Sequence, residues 1–272
     1  MRHLFEVVRP KIVLIQETMT EAYKACQYFL RLFPGWEVST IDSVGRSGGL
    51  LCIWNPVLCD LIPYSTQAGI LLVGHINGYE ETVKIWNIYS PYRDRVQFWD
   101  QIIDSGLLSD PNLIIGGDLN FTTAASEVWG SSHGDSLTEY FNSLINDVEL
   151  VDVCPIPLGP TWRNGRSGEE AVSKRLDRFL LVEHLNCGID RYRVWHIHSV
   201  ISDHVPVCLH VGLGETNRQF PFKFNHNWLT RPDFQELVRH LWGSVNIDPG
   251  LTIMDRLMEK LCLFKVKVRE WE

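Results

Sequence analysis

Eight short apolar or alternating runs recur along this 272-residue chain, and their length restricts its fold more than any other feature. They lie at 12–16, 49–54, 69–76, 83–89, 112–117, 175–182, 192–200 and 205–211. Runs this short, bounded by turn-forming residues, predict β-strands. Helical patterns lie between some of them, at 20–33, 93–106 and 136–150. The alternation predicts a layered α/β or α+β fold, with an antiparallel part between 49 and 89, where no helix intervenes.

The chain after residue 211 has a different texture. The polar, Gly-containing stretch 212–220 is predicted to be a linker, and two helical patterns follow it. This predicts a main domain over 1–211 and a helical extension over 212–272. An apolar stripe in the second pattern favours packing against the main domain or a partner over a membrane surface, because the polar face mixes both charge signs. The stripe consists of Ile253, Leu257, Leu261 and Phe264.

Composition limits the classes of function. A formal net charge of -8 argues against general affinity for nucleic acid or anionic membranes, so any site for a polyanion must be local. Seven cysteines, an odd number without a C-x-x-C pair, indicate reduced thiols and an intracellular protein. The N-terminus lacks the pattern of a signal peptide, and no run approaches about eighteen uncharged apolar residues, so no membrane span is expected.

Polar side chains that could carry chemistry follow several of the predicted strands. They are Glu17 in "LIQET", Tyr89 in "NIYSPYRD", Asp118 and Asn120 in "NLIIGGDLNF", Asp177 in "SKRLDRFLL", and Asp203 and His204 in "VISDHVPVCL". Each has an ordinary structural interpretation when it is taken alone. Glu17 could cap a helix, Tyr89 could be a buried aromatic, Asp118 and Asn120 could form an Asx-turn, and Asp177 could belong to a surface ion pair.

The adjacent Asp203 and His204 point more directly to function. An acidic residue beside a histidine at the mouth of a strand suits proton transfer or metal-linked chemistry, because a carboxylate fixes the tautomer of an imidazole and raises its basicity.

In their order along the chain, "IQET", "NIYSP", "GGDLN", "RLDRF" and "SDHVP" resemble the endonuclease/exonuclease/phosphatase superfamily, over about residues 5–211. The phrase "TWRNGRSG" and the tail "FPFKFNHNWLTRPDFQELVRHLW" look most like the endonuclease region of plant LINE-type non-LTR retrotransposon polyproteins, where such a tail precedes the reverse transcriptase. The resemblance implies a DNase I-like layered β-sandwich with flanking helices. It also implies a metal-dependent phosphodiester hydrolase that nicks double-stranded DNA, in the nucleus if the DNA is chromosomal.

The resemblance assigns a role to each strand-end residue. Glu17 and Asp203 correspond to the acidic residues at a Mg²⁺ or Mn²⁺ site. Asp118 corresponds to the group that orients and deprotonates the attacking water, and Asn120 to the group that positions that water or the phosphate. In the same comparison Tyr89 contacts the phosphate, His204 hydrogen-bonds a phosphate oxygen, and Asp177 holds His204.

A basic cluster near these motifs is the candidate for substrate contact, with a solvated loop as an equally open interpretation. It comprises Arg163, Arg166, Lys174 and Arg175. Trp162 beside it could wedge against a base or sugar, although burial is the more common fate of a tryptophan.

One element of the family pattern has no counterpart in this sequence. Family members begin with a strand that carries an Asn, in a phrase such as "WNVRG", whereas this sequence starts at the helix expected just before "PKIVLIQET". An interior strand buries apolar area, which stabilises a fold by roughly 25 cal/mol per Å². Without this strand, half of the site is expected to be intact in a domain of reduced stability. Two alternatives therefore stay open: a non-catalytic remnant that binds nucleic acid, and an inositol-phosphate or phospholipid phosphoesterase.

Overall fold

The computed structural model describes residues 2–44, 47–130, 134–182, 191–197, 202–212 and 226–244, together with 257, 260, 261, 263, 264, 267, 268 and 271. The chain divides into two compact units, Met1–Asn217 and Arg218–Glu272. After Gly212, the linker predicted at 212–220 lies outside the described residues.

The first unit contains four α-helices and fourteen strands within the described ranges. The helices are α1 (Arg2–Val8), α2 (Ala22–Leu32), α3 (Arg95–Asp104) and α4 (Thr138–Asp147). The strands are β1 (Ile12–Gln16), β2 (Glu37–Val44), β3 (Ser47–Trp54), β4 (Cys59–Ser65), β5 (Gly69–Ile76), β6 (Val83–Tyr89), β7 (Leu113–Asp118), β8 (Val128–Gly130), β9 (Leu150–Asp152), β10 (Trp162–Arg163), β11 (Val172–Lys174), β12 (Asp177–Val182), β13 (Arg191–His196) and β14 (Val207–Gly212).

Two main sheets lie face to face between two layers of helices. The larger sheet has the strand order β4-β5-β6-β7-β12-β9, and the smaller has the order β1-β3-β2. One apolar cluster joins the facing sides of both sheets and includes residues of the β13–β14 pair. Residues of α3 and α4 cover the outer side of the larger sheet, and residues of α1 and α2 cover the outer side of the smaller one. The predicted layered architecture is confirmed.

Burial on both faces explains the unbroken apolar run at the start of β7. Ile114 belongs to the cluster between the sheets, whereas Leu113 and Ile115 belong to the cluster with α3 and α4. Because successive side chains of a strand point to opposite faces, a strand buried on both faces needs apolar residues at every position. The larger sheet is therefore a rigid support for whatever follows Ile115.

Glycine is required near the end of β7. Gly117 has φ +148°, and a Cβ atom there would lie 1.9 Å from the carbonyl oxygen of Ile88 on the parallel neighbour β6. Any larger residue would separate the two strands, so the glycine lets β6 and β7 stay paired up to Tyr89 and Asp118.

All eight predicted runs contain strands in the described residues, and the antiparallel part expected between 49 and 89 is present in the pairing of β5 with β6. The eight apolar runs do not include β2, β4 or the short strands β8 to β11. In β4 only Cys59 and Leu61 are buried, and two buried positions are too few to produce a recognisable apolar run.

The second unit is described mainly through α5 (Pro232–Ser244), which matches the first predicted C-terminal helix. Trp228, Phe234 and Val268 form a small apolar cluster, and Phe264 packs against it. The predicted stripe is only partly buried, because Leu257 and Leu261 are exposed; Ile253 lies outside the described residues.

Two further expectations concern membranes and thiols. Across the described residues, no helix combines the length and apolarity needed to cross a bilayer. The described cysteines are free thiols, at Cys26, Cys52, Cys59, Cys154 and Cys208.

Candidate active site

Three of the predicted site residues form a row across neighbouring strands. Tyr89 on β6 is in register with Asp118 on β7, and Asp118 is in register with Asp177 on β12. Side chains in register on adjacent strands project from the same face of a sheet and lie about 5 Å apart. Pairing of β6, β7 and β12 therefore brings a phenol and two carboxylates together, although they are distant in sequence.

His204 extends this row. Its Nδ1 lies 2.9 Å from Asp177 Oδ2, and its Nε2 lies 3.9 Å from Asp118 Oδ2. The backbone around it is fixed by two contacts. His204 forms an isolated antiparallel β-bridge with Trp162, and the Val205 N–H donates a hydrogen bond to the Thr161 carbonyl (2.7 Å). The imidazole is thus held by Asp177 and directed towards Asp118.

Asn120 is held by its main chain and by its side chain. It has φ +53°, and its backbone N–H donates to Asp118 Oδ1 (3.1 Å). Its side-chain amide donates to the Ser90 carbonyl (2.7 Å) and to Asp118 Oδ2 (3.3 Å). The Asx-turn considered from the sequence is present, and it orients both residues towards the same space.

Glu17 reaches the row from the smaller sheet. It follows β1, has φ +51° and is exposed. The Tyr89 hydroxyl donates a hydrogen bond to Glu17 Oε1, which links the ends of β1 and β6.

A cleft of about 490 Å³ contains most of these groups. The predicted residues that line it are Glu17, Tyr89, Asp118, Asn120, Lys174, Asp203 and His204. The structure therefore brings acidic, amide, phenol and imidazole groups together at one rim. Asp177 lies behind His204 as its hydrogen-bond partner.

The cleft shifts the pKa values of two of its groups, Asp118 and His204. Burial and the nearby carboxylate of Asp177 raise the pKa of Asp118 to about 7, against the lowering effect of His204. Burial lowers the pKa of His204, but the hydrogen bond and charge of Asp177, with the charges of Asp118 and Asp203, outweigh it and raise that pKa to about 9. At neutral pH His204 is a cation, and Asp118 is close to its titration midpoint.

Of the predicted basic cluster, only Lys174 lines the cleft. Arg166 is exposed and pairs with Glu170 (3.3 Å). Arg163 is the strand neighbour of the cleft-lining Trp162, and alternation along β10 directs it to the other face. The substrate-contact prediction for Arg175 is wrong, because its side chain is 1% exposed.

Arg175 instead forms a buried ion-pair network with Arg178, Glu127 and Asp152. The possibility that Asp177 pairs with its arginine neighbours on a solvated surface is likewise wrong. The two arginines are buried, and the partner of Asp177 is His204.

The sequence reading missed other residues around the cleft. Arg95, Thr122 and Asp135 line it, and Thr161 accepts hydrogen bonds from the N–H groups of both Leu176 and Asp177 (2.9 Å each). Arg95 lies six residues beyond the end of β6 and Asp135 lies in a loop, so no strand-end pattern marked either of them. The only available signal was a basic residue in "SPYRDR", close after Tyr89.

The donor chemistry of the cleft fits a hard divalent cation. Glu17 and Asp203 offer carboxylate oxygens, and Mg²⁺ is commonly held by one or two carboxylates, with water and substrate phosphate as its other ligands. Among the described residues, no three His, Cys, Asp or Glu side chains are grouped closely enough to hold a metal ion. The two carboxylates fit a cation of this kind, with water and substrate phosphate as its other ligands.

A layered fold of this kind, with such a row at one end of the larger sheet, is DNase I-like, and sequence comparison agrees. The model of the Endonuclease/Exonuclease/phosphatase family matches residues 1–204. This chain belongs to that family.

One curated relative is a transposon protein. The chain is 28% identical over 187 residues to the Transposon TX1 uncharacterized 149 kDa protein of Xenopus laevis, a match that covers 65% of this chain and 14% of that protein. The chain thus spans only a small part of this curated relative.

Two solved structures share the fold. The endonuclease domain of TRAS1, a telomere-specific non-LTR retrotransposon, matches with a TM-score of 0.58 and 20% identity, covering 79% of this chain and 91% of that one. The AP endonuclease LMAP from Leishmania major matches with a TM-score of 0.59 and 16% identity, covering 76% and 79%.

Proposed function

We propose that this chain is a metal-dependent endonuclease of the non-LTR retrotransposon type, which nicks double-stranded DNA. The observation that carries the proposal is the convergence of Tyr89, Asp118, Asp177 and His204 at one sheet edge. Membership of the family and the likeness to a transposon protein support the choice of DNA as substrate.

In this proposal the described residues share the work of phosphodiester hydrolysis. Asp118 accepts a proton from the attacking water, which its pKa of about 7 suits, because a general base works best near the ambient pH. Protonated His204 places positive charge where a phosphate oxygen gains negative charge, and Asp177 keeps it oriented. Asn120 positions the water or the phosphate beside Asp118.

Glu17 and Asp203, which both line the cleft, would hold a divalent cation. A bound Mg²⁺ supplies positive charge that polarises the phosphate. In this chain Asp203 also fixes Trp162, since the indole Nε1 donates to its Oδ2 (3.0 Å). Lys174, the in-register neighbour of Trp162, supplies a cation for the DNA backbone at the same rim.

A plasmid-nicking assay tests the proposal. With Mg²⁺, the chain should convert supercoiled plasmid to open circles, and both EDTA and Asp118→Ala should abolish the conversion. Asp110→Ala is the matched control, because Asp110 lies just before the opposite end of β7 and pairs with Lys84. It should nick at the wild-type rate.

Other outcomes would replace the proposal. Salt-sensitive DNA binding that persists in Asp118→Ala, without nicking by the wild type, would identify a binding protein without catalysis. Phosphate release from inositol phosphates, or phospholipid hydrolysis, that is abolished by His204→Ala would identify a different phosphoesterase.

A further inference from the structure

Arg95 lies at the first position of α3, beside the cleft, and its polar contacts are directed to two residues. Its Nη1 donates to the Asn120 carbonyl (2.7 Å), and both Nη atoms donate to the carboxylate of Asp135. The guanidinium also lies over the Phe141 ring, with Cζ 5.5 Å from the ring centroid. The side chain is 15% exposed, so it has a fixed position.

Asp135 is equally constrained. Its side chain is 9% exposed, and its Oδ1 accepts the N–H of Leu137 (3.0 Å) just before α4. A planar guanidinium bound through two nitrogens to a carboxylate is geometrically specific. The pair therefore connects the start of α3 to the start of α4 across the end of β7.

Several contacts hold the backbone conformation of Asn120. A φ of +53° is uncommon for a non-glycine residue, although Asn adopts it more readily than most, and here the surroundings fix it. Its side chain and its N–H bond to Ser90 and Asp118, whereas its carbonyl is held by Arg95. If that carbonyl were released, the peptide could rotate, and the amide would leave Asp118.

We propose that the Arg95–Asp135 ion pair is a positioning device for Asn120, and through Asn120 for Asp118, in the reaction proposed above. The proposal rests on the proposed function for its effect on catalysis, and on geometry alone for its effect on Asn120. Arg95 acts here through another residue and does not contact the reacting atoms.

Steady-state nicking kinetics test the catalytic part. Arg95→Met should lower kcat between about tenfold and a hundredfold with little change in KM, as expected for a misplaced catalytic group. In an Asn120→Ala background the same substitution should have no further effect. Arg95→Lys, which keeps one donor, should recover part of the rate.

The matched control is Lys84→Met. Lys84 also forms a partly buried ion pair, with Asp110, but at the other end of β6. It should leave kcat unchanged. Equal losses in kcat from Arg95→Met in the wild-type and Asn120→Ala backgrounds would overturn the positioning role.

A second measurement requires no activity. The side-chain amide signals of Asn120 in a ¹H–¹⁵N spectrum, assigned by their absence in Asn120→Ala, should move towards free-amide positions in Arg95→Met and stay in place in Lys84→Met. Asp135→Asn should shift them in the same direction and serves as the second variant if Arg95→Met does not fold. Unchanged signals would overturn the proposal, even if the wild type nicks DNA. Shifted signals in a chain that does not nick would overturn only the proposed function.

Discussion

Strand β12 contributes to two clusters of charged side chains, which differ in the balance of positive and negative charges. In the first, Arg175 and Arg178 both bind Glu127 and Asp152, so that two cations face two carboxylates in the interior. Although burial raises the pKa values of Glu127 and Asp152, their arginine partners outweigh it and lower them. The carboxylates of this cluster stay charged far below neutral pH.

The second cluster carries a surplus of negative charge. Asp118 and Asp177 share the single imidazole of His204, which lies 2.9 Å from one carboxylate and 3.9 Å from the other. Here burial and carboxylate repulsion raise the pKa of Asp118 to about 7. The same strand thus supports one cluster that is satisfied by its own partners and one that is not.

The difference separates structural charge from functional charge. A satisfied buried cluster costs a great deal to break and has no capacity to bind a further ion. An unsatisfied cluster in a cleft reduces stability, but it is ready to exchange protons or bind a cation. Four substitutions or conditions test this contrast.

The largest effect is expected from Asp118→Asn in the unbalanced cluster. Loss of the general base should lower the nicking rate by about 10²–10⁴-fold. Removal of a carboxylate whose pKa is raised should at the same time increase stability at neutral pH in EDTA. Nicking kinetics and urea unfolding of the same preparation measure both effects. A variant that is less stable than wild type would contradict the contrast.

The balanced cluster should behave in the opposite way. Arg178→Met leaves Glu127 and Asp152 with one buried cation between them, and breaking a buried pair typically costs about 3–5 kcal/mol. Urea unfolding should show this loss. The control, Arg166→Met, removes an arginine from an exposed pair with Glu170, and its unfolding free energy should stay within about 0.5 kcal/mol of wild type.

The contrast also shows why the sequence revealed one cluster and not the other. Glu17 and Asp118 stand out because each lies where an apolar strand ends, and His204 because it lies in the short break between two apolar runs. Arg175 and Arg178 looked like solvated charges, because their partners are distant in the sequence. Glu127 lies 48 residues before Arg175, and Asp152 lies 26 residues before Arg178. Charge burial is a property of the tertiary fold, which local spacing does not encode.

The same reasoning applies to the fold and to Arg95. Strands buried on both faces, such as β7, were predictable from their apolar runs, whereas β4, with two buried positions, was not. The role of Arg95 depends on Asp135, 40 residues further along the chain, so it was not visible before the loop and the helix were placed together.

A smaller effect is expected at Thr161, which lies between the two clusters. Its Oγ1 accepts the N–H groups of Leu176 and Asp177, at the point where β12 begins. Thr161→Val keeps the shape of the side chain and leaves two N–H groups without this acceptor, at a cost of about 1–3 kcal/mol in unfolding free energy. Because Asp177 holds His204, the nicking rate should fall as well. Unchanged stability would show that the start of β12 is held by the sheet alone.

The smallest effect is expected in the pH dependence of stability, which should distinguish the two clusters. Each proton changes the unfolding free energy by at most about 1.4 kcal/mol per pH unit. The lowered pKa values of Glu127 and Asp152 give stability that is present at neutral pH and lost as pH falls below about 4. The raised pKa of His204 gives stability that is full below about 6.5 and lost as pH rises through about 9. The raised pKa of Asp118 lowers stability progressively as pH rises from about 4 to about 7, because the unfolded chain loses this proton first.

Unfolding free energy measured in EDTA should therefore be highest near pH 4, with the balanced cluster losing stability below this pH and the unbalanced cluster losing it as the pH rises. Asp118→Asn should remove the loss between about pH 4 and 7 and leave the acid side unchanged, because Glu127 and Asp152 keep their arginine partners. If the substitution altered the acid side equally, the two clusters would be one electrostatic unit, and the separation of structural from functional charge along β12 would not hold.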